Sequence, residues 1–283
     1  MIPIVTPEEM RAVDAAAPEP VEELIDRAAQ ATAQVAFAMV GGAYGRVVNV
    51  VAGGGNNGAD GRGAAAILER RGVKVRVIDA AMRPPVLPAC DLVIDAAYGT
   101  GFRGEWIAPD VVSGSGDRPL VLAVDIPSGV DALTGEAGSG VLAADRTVTF
   151  QALKPGLLVG AGGELSGEID VVDIGLDVSG ATQHLVDAGD VAAWWPQRAF
   201  DAHKWNGAVR VIAGSPGMLG AGRLCAEAAA RAGAGLVMLS SPGIDPEARG
   251  EIVQRRIPAL DFHGEVFSDL DRFGALVIGL GLG

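Results

Sequence analysis

The sequence predicts an α/β fold, a mostly parallel sheet covered on both faces by helices, on three observations. Short β-branched runs that are apolar on both faces recur along the chain, amphipathic helical segments separate them, and polar glycine-rich stretches leave the ends of several runs. Residues 8 to 40 read as two helices broken at Pro18 and Pro20, the second carrying an apolar stripe of Val21, Leu24, Ile25, Ala28 and Ala29. Val47 to Ala52 is a strand running into Gly53-Gly54-Gly55, and a helix is expected over Arg62 to Arg71, ended by Gly72. Val73 to Asp79, Leu92 to Asp95, Leu120 to Asp125, Thr147 to Phe150 and Ile169 to Ile174 supply further strands. They close a first unit at residue 177.

Residues 178 to 202, with Gly180, Gly189 and Pro196, read as a connector. A second unit, 203–283, opens with the strand Val209 to Ala213, Gly214, an alanine-rich helix from Gly220 to Ala232, and a strand from Gly235 to Leu239. It reaches Gly283 directly after the strand Ala275 to Ile278, where a parallel sheet calls for a covering helix, so it reads as unfinished.

Composition removes several function classes. The chain has 283 residues, 49% hydrophobic and 20% charged, enough apolar material for packed cores and too little charge for a self-repelling disordered chain. A net charge of −13 argues against nucleic acid or an anionic membrane as partner, because binding phosphate surfaces needs a basic patch. Ala28 to Gly45 is the longest uncharged stretch, but Gln30, Thr32 and Gln34 mark it as a buried helix and not a span. The start, Met1-Ile2-Pro3 running to Glu8 and Glu9, lacks a signal-peptide pattern. Cys90 and Cys225 are far apart and form no CxxC, which suits a reducing cytoplasm without disulfide or zinc. His184, His203 and His263 have no metal-ligand spacing. A homo-oligomer is the default assembly.

Three polar stretches carry the chemistry. Gly53 to Gly61 lies between a strand and a helix start, where glycines let backbone approach a phosphate and the helix N-terminus attracts the anion. Gly53, Gly55 and Gly58 fit GxGxxG, and Asp79 at the end of the next strand is placed for a ribose hydroxyl, which suits an NAD-dependent dehydrogenase. A ligand-free strand-to-helix turn would give the same glycines. Neither reading accounts for Asn56, Asn57 and Asp60, whose oxygens suit a cation or a sugar. The second stretch is Asp95 to Gly104 and the third Val124 to Asp131, both leaving strand ends at the same sheet edge. Asn57, Asp95, Asp125 and Ser128 together offer hard ligands for a cation, with Asp125 left as acid or base.

Asn56-Asn57-Gly58-Ala59-Asp60-Gly61, Asp95 with Gly99-Thr100-Gly101, Asp125-Ile126-Pro127-Ser128-Gly129, and Lys154-Pro155-Gly156 resemble the NAD(P)H-hydrate (NAD(P)HX) epimerases across residues 8 to 176. The resemblance implies a Rossmann-like three-layer αβα domain that interconverts the R and S epimers of hydrated NADH or NADPH. It implies that Asn56, Asn57, Gly58, Ala59, Asp60, the loop Gly99, Thr100, Gly101, Phe102, Arg103, Gly104 and Glu105, and Asp125 bind the hydrate. Asn57, Asp95 and Ser128 would then hold a potassium ion, and Asp125 would move the proton. Ala59 replaces the family's usual glycine, which matters only if that position needs positive φ.

His203-Lys204, Val211 to Ser215, Gly220-Ala221, Ala228 to Val237 and Gly279 to Gly283 resemble the start of the ribokinase-like, ADP- or ATP-dependent NAD(P)H-hydrate dehydratases, which implies that Ala221 and Gly281 touch the hydrated nucleotide. Leu280 departs from the family's Gly-Pro-Gly, residues 203–207 depart from its His-Lys-Gly spacing, and its later Asn-x-Gly-Asp region has no counterpart here. The chain alone is therefore expected to lack dehydratase activity, and ADP or ATP with magnesium would enter only with a complete second domain. A dehydrogenase and a non-enzymatic nucleotide-binding module stand as the alternatives.

Overall fold

The computed structural model describes residues 1–112, 118–244, 250–261, 263–267, 269–279, 281 and 282. It divides into two compact units, Met1–Trp194 and Trp195–Gly283. In chain order the first contains β1 (Ile2–Ile4), α1 (Pro7–Ala16), α2 (Val21–Val40), β2 (Val47–Ala52), α3 (Asn56–Arg70), β3 (Lys74–Asp79), β4 (Leu92–Ala96), β5 (Leu120–Val124), β6 (Arg146–Phe150), α4 (Gly160–Leu165), β7 (Glu168–Val172), β8 (Gln183–Leu185) and α5 (Ala188–Trp194). Six of these strands form a wholly parallel sheet in the order β3-β2-β4-β5-β6-β7. From β2 the chain moves out to β3 and then crosses back to β4, so the order reverses between β2 and β4. Loops leaving the carboxyl ends there open a crevice.

Alternation along the strands feeds two cores. Val48, Val50, Leu92, Ile94, Leu122, Val124 and Val148 meet α2 and α3 through Ala28, Ala33, Ala36, Ala64, Ala65 and Leu68. Val51, Val93 and Ala97 point the other way, against Leu87, Cys90 and Trp106. Helix α1 begins with a capping box: the Thr6 hydroxyl accepts from Glu9 N–H at 3.2 Å, and the Glu9 carboxylate accepts from Thr6 N–H at 2.7 Å. Pro18 and Pro20 separate it from α2 as expected, and Gly41 in the left-handed region (φ 69°) ends α2.

The sequence placed the next helix at Arg62; it starts at Asn56. Two glycines among the six residues from Asn56 to Gly61 disfavour helix by about 1 kcal/mol each relative to alanine, which is why the stretch reads as loop. Packing overrides that preference. A Cβ on Gly58 would fall 1.9 Å from the Gly53 carbonyl oxygen, and one on Gly61 would fall 2.5 Å from the Ala96 methyl. Glycine lets α3 sit directly on β4. Ala59 is helical and absent from the positive-φ residues, so its methyl group causes no strain.

The expected connector is partly structured. β8 pairs antiparallel with β1, and α5 follows within the first unit. β8 was missed because Gln183-His184-Leu185 is too short and too exposed to show a period.

The second unit contains β9 (Val209–Ala213), α6 (Gly220–Arg231), β10 (Val237–Ser241), β11 (Val253–Arg256), α7 (His263–Phe267) and β12 (Ala275–Gly279). Its sheet is parallel in the order β11-β10-β9-β12, around Val211, Ala213, Ala226, Val237 and Leu239. β10 starts two residues later than expected. β11 escaped notice because Gln254, Arg255 and Arg256 follow a single valine. In β9, fully buried Arg210 donates to the Val266 carbonyl at 2.9 Å and pairs with Asp269. Among the described residues no helix is long and apolar enough to cross a membrane.

Candidate active site

The turn after β2 is backbone held by backbone. Gly53 N–H donates to the Ala96 carbonyl at 3.0 Å, and the next residues bend into α3 with Gly55 as its N-cap. No side chain caps that end of the helix. Gly54, Gly55, Asn56 and Asn57 instead line a cavity of ≈ 650 Å³ at the strand-order reversal, a volume usual for a small-molecule site. An uncapped N-terminus with its dipole facing a cavity suits an anionic group. The lining also includes apolar side chains, Met10, Val21, Leu24, Ile25, Phe150 and Ile174. One ligand would meet both backbone donors and hydrocarbon there.

Asp125 directly follows β5 with φ 68°, an unusual conformation for a non-glycine residue. Its Oδ1 lies 2.6 Å from Lys154 Nζ. That lysine is 1% exposed, and its other donors reach Thr149 Oγ1 at 2.8 Å and the Phe150 carbonyl at 3.1 Å. The Thr149 hydroxyl in turn donates to Asp125 Oδ1 at 3.2 Å. Three acceptors match the three protons of an ammonium group, so Lys154 is a fixed positive charge under the Asp125 carboxylate. Asp125 Oδ2 lies near Gly99, where a Cβ would stand 3.3 Å from both that oxygen and Asn57 Cγ. The three loops thus meet at one point.

Beside it is a buried polar knot. Asp95, 4% exposed, accepts from Ser128 N–H at 2.9 Å, the Ser128 hydroxyl at 2.6 Å and, more weakly, Ala97 N–H at 3.4 Å. Ser128 Oγ accepts from Tyr98 N–H at 2.9 Å. Burial pushes the Asp95 carboxyl above its usual range, opposed by these hydrogen bonds. Both amide atoms of Asn57 are buried and have no hydrogen-bond partner. An unsatisfied buried amide costs about 1–3 kcal/mol, which marks the position for a ligand.

Asp60 lies in α3 on the cavity wall, 7% exposed. Burial, with a smaller contribution from the Asp125 charge, pushes its carboxyl up to about 8. In the unfolded chain the same group ionises near 3.8. The folded state therefore holds this proton where the unfolded state has lost it, and stability declines as pH rises from about 4 to about 8. Melting temperature followed from pH 5 to 9 should fall less steeply in Asp60→Asn than in the wild type; parallel curves would exclude Asp60 as the source. Asp14 of α1 also lines the cavity, and burial raises its carboxyl, opposed by Lys154 and reinforced by Asp125.

The cavity gathers Asn56, Asn57, Asp60, Gly99, Thr100, Gly101, Phe102, Arg103 and Asp125 from the residues the sequence singled out. Gly58 is buried beneath the turn, while Ala59, Gly104 and Glu105 do not line the cavity. Asp79, offered for a ribose, caps its own turn through Ala81 N–H at 2.9 Å and stands outside the lining. In the second unit Ala221 lies in the first turn of α6, and a Cβ on Gly281 would come 3.8 Å from the Met218 carbonyl, three residues before Ala221. Leu280 and Gly283 lie outside the described residues. Sequence reasoning gave Lys154 and Asp14 no role. A lysine placed four residues after an apolar strand was a usable signal for the first; nothing in the helical pattern of α1 flagged the second.

Residues 21–88 and 78–156 match a family model described as "YjeF-related protein N-terminus". A relative named NAD(P)H-hydrate epimerase, from Clavibacter sepedonicus, is 40% identical over 174 residues, covering 48% of this chain and 75% of that protein. The chain belongs to the NAD(P)H-hydrate epimerase family. Residues 209–283 match a second model, described as NAD(P)H-hydrate dehydratase, so epimerase-type and dehydratase-type regions follow one another. A bifunctional NAD(P)H-hydrate repair enzyme of Escherichia coli is 33% identical over 83% of this chain and 52% of its own length. The chain spans about half the length of that relative. A solved yeast protein aligns at 18% identity and a TM-score of 0.45, over 60% of this chain and 86% of its own.

Proposed function

We propose that this chain interconverts the R and S forms of hydrated NADH or NADPH in the first-unit cavity, as part of nicotinamide nucleotide repair. The observation that carries the reading is the Asp125–Lys154 pair at 2.6 Å, set in a cavity beside the uncapped N-terminus of α3. The diphosphate would lie against Gly54, Gly55 and Asn56 and beside Arg103, and the hydrated ring against Phe150 and Ile174. Inversion breaks and remakes one bond at the hydroxyl-bearing carbon, by ring opening or by loss and return of the hydroxyl. Either route moves a proton at the hydroxyl oxygen. Asp125 carries that proton, and Lys154 holds the carboxylate in place and offsets its charge. Asp60, protonated below about pH 8, is a hydrogen-bond donor in the same cavity.

Potassium fits this site because the Asn57 amide is buried without a partner and the Asp95 carboxylate has no cationic partner among the described residues. Asn57, Asp95 and Ser128 would hold it, and it would supply fixed positive charge beside the carboxylates. Ala221 and Gly281 would contact the hydrated nucleotide in the dehydratase-type unit, where ADP or ATP with magnesium belongs to the complete reaction. A cytoplasmic homo-oligomer completes the proposal. The test mixes this protein with a separate dehydratase specific for the S form and follows total hydrate. With the protein present the R form should be consumed as well; if R persists, the repair reading fails. Replacing potassium by lithium in that assay should lower the rate several-fold, and an unchanged rate would remove the cation.

A further inference from the structure

Two adjacent strands end in the same rare way. At the end of β5, Ile126 N–H donates to the Val124 carbonyl at 2.9 Å across Asp125; at the end of β6, Ala152 N–H donates to the Phe150 carbonyl at 2.7 Å across Gln151. Both central residues have positive φ, 68° and 64°. Each closes a three-residue γ-turn of the strained, uncommon kind. Neither is glycine, so the surroundings hold both against backbone strain. The first turn aims the Asp125 carboxylate. The second turns the chain so that Lys154, three residues on, doubles back to meet Phe150, Thr149 and Asp125.

What holds the second turn is the Gln151 side chain. Its Oε1 accepts from three consecutive backbone donors, Ile174 at 3.0 Å, Gly175 at 3.1 Å and Leu176 at 3.0 Å, while Gln151 N–H donates to the Val172 carbonyl at 2.7 Å. The clamped segment is fixed from the other side by Arg27 of α2, which donates to the Ile174 carbonyl at 2.6 Å. Ile174, Phe150 and Lys154 all line the cavity.

We propose that Gln151 is a positioning residue for the acid–base pair: by clamping residues 174–176 it holds the β6 γ-turn that sets Lys154 against Asp125. The inference rests on the reading of Asp125 and Lys154 given above. Gln151 touches no ligand; it acts through the lysine.

The test compares Gln151→Gly, Gln151→Met and Gln151→Glu with Asp125→Asn in the full chain, assayed for epimerisation. Glycine adopts positive φ without strain and removes the clamp, methionine keeps the length without the oxygen, and glutamate keeps the oxygen. Loss of the clamp should lower kcat about ten- to a hundredfold, since misplacement by about 1 Å costs that much, with KM changed less than about threefold. Gln151→Glu should return to within about threefold of wild type. Gln151→Gly or Gln151→Met with wild-type kcat beside an inactive Asp125→Asn would overturn the positioning role alone. A loss in kcat matched by an equal rise in KM, or one that tracks the fraction of folded protein, would also overturn it. Full activity in Asp125→Asn would instead overturn the acid–base reading on which it rests.

Discussion

Asp125→Asn is expected to lower epimerisation at least about a hundredfold, the lower end of what a positioned acid–base group contributes. The substitution preserves shape, and the amide oxygen can still accept from Lys154 and Thr149, so the loop after β5 stays in place. The turn itself tolerates the exchange, because asparagine adopts positive φ as readily as aspartate. Binding of the hydrate, through the α3 N-terminus and Arg103, should remain measurable by calorimetry or by protection against heat. A variant that turns over at the wild-type rate would remove Asp125 from the chemistry. A variant that neither turns over nor binds would make it a binding residue.

Lys154→Met should lower stability measurably. Removing one partner of a fully buried ion pair costs about 3–5 kcal/mol because the other charge is left uncompensated. Asp125 retains 15% side-chain exposure, so some water reaches it and the cost should be nearer 2–3 kcal/mol. The Thr149 hydroxyl and the Phe150 carbonyl lose a donor as well. Burying the methionine recovers only part of this, and a net loss of about 2 kcal/mol corresponds to roughly 4–8 °C in melting temperature for a unit of this size. Epimerisation should fall with it. The double variant Asp125→Asn with Lys154→Met should be more stable than the two single effects added together, because no uncompensated charge remains. Strict additivity would mean that the pair is not coupled.

Much of the fold was legible because apolar period and punctuation agree. The Leu92–Asp95 and Leu120–Asp125 runs end in a polar residue and Val47–Ala52 is followed by a glycine, and each is a strand within a residue of its expected end. What misled was α3, where tertiary contact decides against local preference: Gly58 and Gly61 look like loop until Gly53 and Ala96 are seen against them. Short edge elements such as β8 were invisible for a different reason, since they bury too little to impose a pattern.

The site was legible where chemistry sits in contiguous motifs. Asn56 to Asp60, Gly99 to Arg103 and Asp125 carry their own signals, and the parallel topology brings them to one edge. Lys154 has a faint signal in its place four residues after an apolar strand, and Gln151 carries its own only in three dimensions. A buried lysine reads as function once its acceptors are known, and Gln151 becomes notable only when its oxygen is found receiving three backbone N–H groups. Asp79 shows the converse. Its spacing from the glycine run suggested a ribose partner, yet its carboxylate is taken by its own turn, which weakens the dehydrogenase reading.

The most direct measurement resolves the two epimers themselves. Pure R hydrate and pure S hydrate of NADH, each incubated with the protein in potassium buffer and separated by chromatography, should converge on one common mixture at a rate proportional to protein concentration. Asp125→Asn should leave both at the buffer rate. Convergence no faster with the wild-type chain than in buffer would contradict an epimerase.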